Sequence, residues 1–112
     1  MMAAHEFGIM QKNPSYEERF DSYEPQKYNC IYIDDDFIEP IMDELQSIDC
    51  YWHTLQRPEK GLAYCGVTLI PYESMESFIN ILLLQNNEAY DPLIHLANQA
   101  KENKKYLIHF GI

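Results

Sequence analysis

The chain has 112 residues, 46% of them apolar, which bounds it to one domain with a buried core and excludes a disordered tail. It carries 8 basic and 18 acidic residues, a net charge of −10, which argues against a general nucleic-acid or anionic-membrane binder because phosphate contact needs a basic face. Twelve of the 18 acids but only three of the 8 bases precede Cys50, so nearly all the excess negative charge belongs to the first half.

Residues 1–27 read as an irregular arm. Gly8, Asn13-Pro14 and Glu24-Pro25 punctuate it rather than propagate structure. Phe7, Ile9, Met10, Tyr16, Phe20 and Tyr23 are too apolar for a solvated tail, so the arm is expected to pack on the domain or on a partner. Ser15 with Glu18 fits a capped turn. The first ten residues hold no Lys or Arg and do not read as a signal peptide. His5-Glu6-Phe7-Gly8-Ile9 is echoed near the other end by His109-Phe110-Gly111-Ile112. Two matches that short mark either similar strand ends lying side by side or chance, and chance is the simpler account.

Residues 28–112 read as a single α+β domain. Tyr28 to Ile33 is apolar at both alternating sets, which predicts a central strand. Asp34-Asp35-Asp36 follows, and Asp36 with Glu39 fits a helix N-cap box just ahead of Pro40. Phe37, Ile38, Ile41, Met42, Leu45 and Ile48 then share one side of that helix, while Asp43 and Glu44 point away. Cys50 to Ile70 reads as a β-hairpin around the turn cluster Arg57-Pro58-Glu59-Lys60-Gly61. Within it, Gly66 signals a bulge or the close approach of another group.

Ser74 is placed to cap a helix with Met75, Phe78, Ile79 and Leu82 on its apolar face, widened by Ile81 and Leu83. Its longest apolar run, about Ile81 to Leu84, is too short to span a bilayer. Asp91-Pro92 starts a second helix with the stripe Leu93, Leu96, Ala97 and Ala100. Tyr106 to Phe110 closes the pattern as a strand expected inside the sheet. The predicted order is arm-β-α-β-β-α-α-β, a mixed or antiparallel sheet of four to five strands with about three helices mainly on one face.

Cys30, Cys50 and Cys65 are odd in number and form no Cys-x-x-Cys, so reduced, buried thiols in a cytoplasmic protein are expected. Cys50-x-x-His53 has zinc half-site spacing, but Cys30, Cys65, His5, His95 and His109 supply no second close pair. Asp34 to Asp36 could face a hard cation, yet capping and solvent explain them and no calcium-loop pattern is present. No metal and no cofactor are therefore expected. His53 and Arg57, with Tyr51 and Tyr64 nearby, are the candidates for a small anion pocket or a catalytic pair. The ordinary alternative is a strand histidine hydrogen-bonded across the sheet. No nucleotide-binding, nucleophile-elbow or zincin motif occurs.

The acidic segment weighs most. From Asp34 to Asp49 there are seven acids and no base. Asp34, Asp35, Asp36, Glu39, Asp43 and Glu44 are the candidate partner-binding residues, with Tyr16, Phe20 and Tyr23 as aromatic anchors. The plain alternative is a solvated helix face. In size, acidity and lack of a catalytic motif the chain resembles immunity proteins, small inhibitors of basic toxins, as a class rather than through a matched motif. The expected function is therefore a non-enzymatic binding or inhibitor module for a partner with a basic surface. The alternatives are a small enzyme or ligand-binding domain at the 50–70 hairpin, and self-association through strand edges or the helix beginning at Ser74.

Overall fold

The computed structural model describes residues 3–112, and its centre is a six-stranded antiparallel sheet. The strands are β1 (Ala4–Ile9), β2 (Ile31–Asp34), β3 (Asp49–Trp52), β4 (Pro58–Lys60), β5 (Val67–Ile70) and β6 (Leu107–Phe110). Their spatial order is β2-β1-β6-β5-β3-β4. The α+β class holds, but the sheet has six strands where four to five were expected.

The first additional strand is β1, which lies inside the stretch read as an irregular arm. Gly8 looks like a breaker in the sequence. In the fold, a Cβ at Gly8 would sit 2.7 Å from Tyr28 Cβ and 2.8 Å from Cys30 Sγ, so the glycine admits a returning chain without ending the strand. β1 pairs with β6 through Glu6↔Phe110 and Phe7↔His109. The echoed sequences are thus neighbouring strands that run in opposite directions.

The second addition is β4, cut from the presumed turn cluster. Pro58 is tolerated because β4 is an edge strand. The chain reverses earlier, where His53 takes the left-handed φ of 65°. β3 is then flanked by β4 on one side and β5 on the other, so the 50–70 region is not a simple hairpin. The first expected strand also moves. Pro25–Tyr28 is a 3₁₀ turn, and β2 is an edge strand whose Tyr32 is 73% exposed, not a central strand covered on both faces.

The acidic helix is broken by its own sequence. α1 (Asp35–Ile38) and α2 (Met42–Leu45) are separated by the 3₁₀ turn Glu39–Ile41, because Pro40 has no N–H to continue the α ladder. Asp34, not Asp36, is the N-cap: its Oδ1 accepts the Asp36 N–H at 2.8 Å. α3 (Met75–Leu84) and α4 (Asp91–Asn103) follow the predicted stripes, except that Leu83, expected to widen the apolar face of α3, is exposed. The Ser74 hydroxyl does not cap α3; it donates to the Asp49 carbonyl at 2.6 Å and ties the helix to β3.

The helices lie on one face of the sheet. Phe7, Ile33, Ile70 and Leu107 pack there against Ile38, Leu45, Phe78, Leu82, Leu93 and Ala97. Burial of each large side chain contributes about 1.5–3 kcal/mol. The opposite face presents Val67, Leu69, Ile108 and Phe110, covered by Met10, Phe20, Tyr28 and Cys30. The segment after β1 therefore packs on its own sheet. It is pinned by the Phe20 N–H donating to His53 O at 2.8 Å and the Met10 N–H donating to Tyr106 O at 2.9 Å. Among the described residues no helix is long and apolar enough to cross a membrane.

Candidate functional site

The six acids singled out in the sequence divide into two groups. Asp34 is committed to its cap. Asp35 turns inward, where its Oδ2 accepts the Tyr64 hydroxyl at 2.6 Å and its Oδ1 accepts His5 Nε2–H at 2.8 Å. The Tyr64 hydrogen bond first, and the His5 contact after it, hold the Asp35 carboxyl below the usual carboxylate range. The same pairing pushes the Tyr64 phenol up to about 12. Asp36, Glu39, Asp43 and Glu44 are exposed, and none forms an ion pair with a basic side chain among the described residues. Glu44 Oε2 accepts from Gln85 Nε2 at 3.0 Å, which joins the acidic segment to the end of α3.

His53 and Arg57 do not converge. Arg57 Nε pairs with Glu59 Oε2 at 3.0 Å, and its guanidinium lies 5.2 Å from the Trp52 ring centroid. His53 instead lines a depression of about 400 Å³ with Asp21, Tyr23, Cys65, Val67 and Phe110. Its Nδ1–H donates to Phe20 O at 3.1 Å and lies 3.0 Å from Asp21 Oδ1, while Nε2 accepts from Val67 N–H at 3.4 Å. A Cβ on Gly66 would meet that Nε2 at 2.8 Å, so the glycine marks a close approach. Tyr64 is engaged with Asp35, and Tyr51 packs on the arm-covered face of the sheet. The expected anion pocket is therefore not assembled from these four residues.

The cysteines differ from a uniformly buried set. Cys50 is buried and Cys30 half-buried, and burial pushes both thiols up to about 12. Cys65 is exposed in the His53 depression. Among the described residues no group of three or more His, Cys, Asp or Glu side chains is gathered closely enough to hold a metal ion.

Sequence reasoning missed a buried polar array under the helices. His5, Thr68 and His109 have no exposed surface. His5 Nδ1 and His109 Nε2 are 2.9 Å apart, and His109 Nδ1 is 3.1 Å from Thr68 Oγ1. Thr68 Oγ1 in turn accepts the Ala63 N–H at 2.8 Å. One proton arrangement satisfies the whole array with both rings neutral. The Thr68 hydroxyl donates to His109 Nδ1, His109 Nε2–H donates to His5 Nδ1, and His5 Nε2–H donates to Asp35. Burial, and then the adjacent His5 ring, hold the His109 pKa well below its usual value. Because Ala63 and Tyr64 are consecutive, the array closes into a ring that fastens the 61–66 loop to β1, β5, β6 and the start of α1. The two histidines of the echoed sequence were its only trace in the sequence.

Comparison with protein-family models, curated proteins and solved structures returns no match to this chain.

Proposed function

We propose that the protein is a non-enzymatic binding or inhibitor module that docks a partner with a basic surface through its acidic segment. The observation that carries this reading is the set Asp36, Glu39, Asp43 and Glu44: four exposed carboxylates on one short stretch, none in an ion pair with a basic side chain among the described residues. Such a face accelerates encounter with a positive surface by about 10- to 1,000-fold and repels acidic competitors. Asp34 and Asp35 serve by placing the segment, not by touching the partner. The three unpaired cysteines fit a reducing cytoplasmic compartment.

The test is capture from native host lysate at low and high salt, read by mass spectrometry, with wild type and a variant carrying Asp36→Asn, Glu39→Gln, Asp43→Asn and Glu44→Gln. One stoichiometric basic protein, lost at high salt and lost with the variant, is expected. Retention of that protein by the variant would sink the reading. A small-ligand site at the 50–70 region is the second reading, supported by the depression beside His53. It now rests on His53 and Asp21 without Arg57. It predicts that a ligand raising the unfolding temperature of wild type leaves His53→Ala unmoved.

A further inference from the structure

Where the end of α3 meets the start of α4, the surface holds a groove of about 270 Å³ lined by Leu82, Leu83, Asn86, Glu88, Asp91 and Ile94. Its apolar wall reaches the surface at Leu83, which is 56% exposed; Leu84, outside the lining, is 79% exposed on the adjoining surface. Its rim is negative. Glu88 and Asp91 are exposed carboxylates, and the last turn of α3 beside them holds no basic residue. Gln85, next to Asn86 of the groove in sequence, donates to Glu44, so the acidic segment adjoins the same end of α3.

We propose that this groove receives an apolar side chain flanked by Lys or Arg on a protein partner, so that it anchors the interface whose steering half is the acidic segment. The inference rests on that docking reading and adds to it the chemistry of the bound segment. An apolar side chain would cover Leu83 and Ile94 while the flanking cations reach Glu88 and Asp91. The charge selects this occupant over a second copy of the same chain. A symmetric pair would bring two sets of Glu44, Glu88 and Asp91 together, with no base lining the groove to relieve them.

The test uses two synthetic peptides of equal length and charge, an amphipathic one of Lys and Leu and a wholly polar one of Lys and Ser, with binding read by fluorescence anisotropy. Wild type is expected to prefer the Lys/Leu peptide by about tenfold or more, the factor that burial of one Leu side chain supplies. Leu83→Ser/Leu84→Ser, with an unchanged unfolding temperature, should erase that preference and keep the salt-sensitive binding of the Lys/Ser peptide. Should the double variant misfold, Leu83→Ser alone, together with amide shifts over residues 82–94 in peptide-bound wild type, reads the same contact. A preference absent from wild type, or one that survives the double substitution, would overturn the groove. So would a wild-type dimer in sedimentation that Leu83→Ser/Leu84→Ser dissociates. Neutralising Asp36, Glu39, Asp43 and Glu44 should weaken both peptides and preserve the Lys/Leu preference. If that variant binds both peptides unchanged, the acidic-face reading fails, while a preference still lost in the leucine variant continues to support the groove.

Discussion

His109 is neutral in the folded protein because its ring is sealed among Phe7, His5 and Thr68. In the unfolded chain it takes up a proton near 6.5, while in the folded chain it resists to well below that value. The unfolded state therefore binds more protons in that window, and stability falls as pH drops below about 6.5. Denaturation measured from pH 7.5 to 5 should show a slope approaching about 1.4 kcal/mol per pH unit for this group. His109→Gln should flatten that slope, and a wild-type curve already flat across the window would refute the account. Asp35 acts lower on the scale. Its depressed carboxyl gives stability that is present above the ordinary value of 3.8 and is lost as pH falls below it. At the same scale, Cys65 should be the single thiol alkylated by iodoacetamide in the native protein, because burial suppresses the thiolates of Cys30 and Cys50. Mass spectrometry should count one adduct in buffer and three in denaturant. Native modification of Cys50 would contradict the packing.

Among the elements, β6 joins the two ends of the sheet. It is hydrogen-bonded to β1 on one side and β5 on the other, and all four of its residues are buried. Deleting Leu107–Ile112 is expected to abolish the cooperative thermal transition seen by far-ultraviolet circular dichroism; a folded truncation would show that β1 and β5 can pair directly. β6 lies inside the sheet as expected, and α3 and α4 were readable from 3.6-residue stripes whose Met75, Phe78, Ile79, Leu82, Leu93, Ala97 and Ala100 are buried, though Leu83 is not. β1 was not readable, because Gly8 has the same letter whether it ends a strand or admits Tyr28. β4 was hidden because Pro58 and Gly61 look like a turn when the reversal is in fact made by a histidine with positive φ. Of the site, the exposed acids were legible as charge. That Asp35 would turn inward was not, since its partners His5 and Tyr64 lie about 30 residues away on either side.

At the scale of the whole molecule the first half carries most of the charge, and the fold does not balance it internally. Of the described ion pairs, only the Arg19–Asp21 and Lys60–Asp49 contacts join an acid from that half to a Lys or Arg. Self-repulsion of this kind is screened by salt. Raising NaCl from low to physiological strength should therefore lift the unfolding temperature by about a few degrees, with less lift in the variant lacking the charges of Asp36, Glu39, Asp43 and Glu44. A temperature that falls with salt would mean the exposed pairs matter more than the repulsion. The sheet order also has a kinetic consequence. β2–β1 and β5–β3–β4 can each assemble from nearby chain, but they are joined only by β6, and the His5–His109 contact spans 104 residues. Joining them is the long-range and hence slow event. Until it happens both β1 and β5 are open apolar edges, so refolding yield should fall as protein concentration rises, and the protein's most aggregation-prone moment is the one just before its last strand arrives.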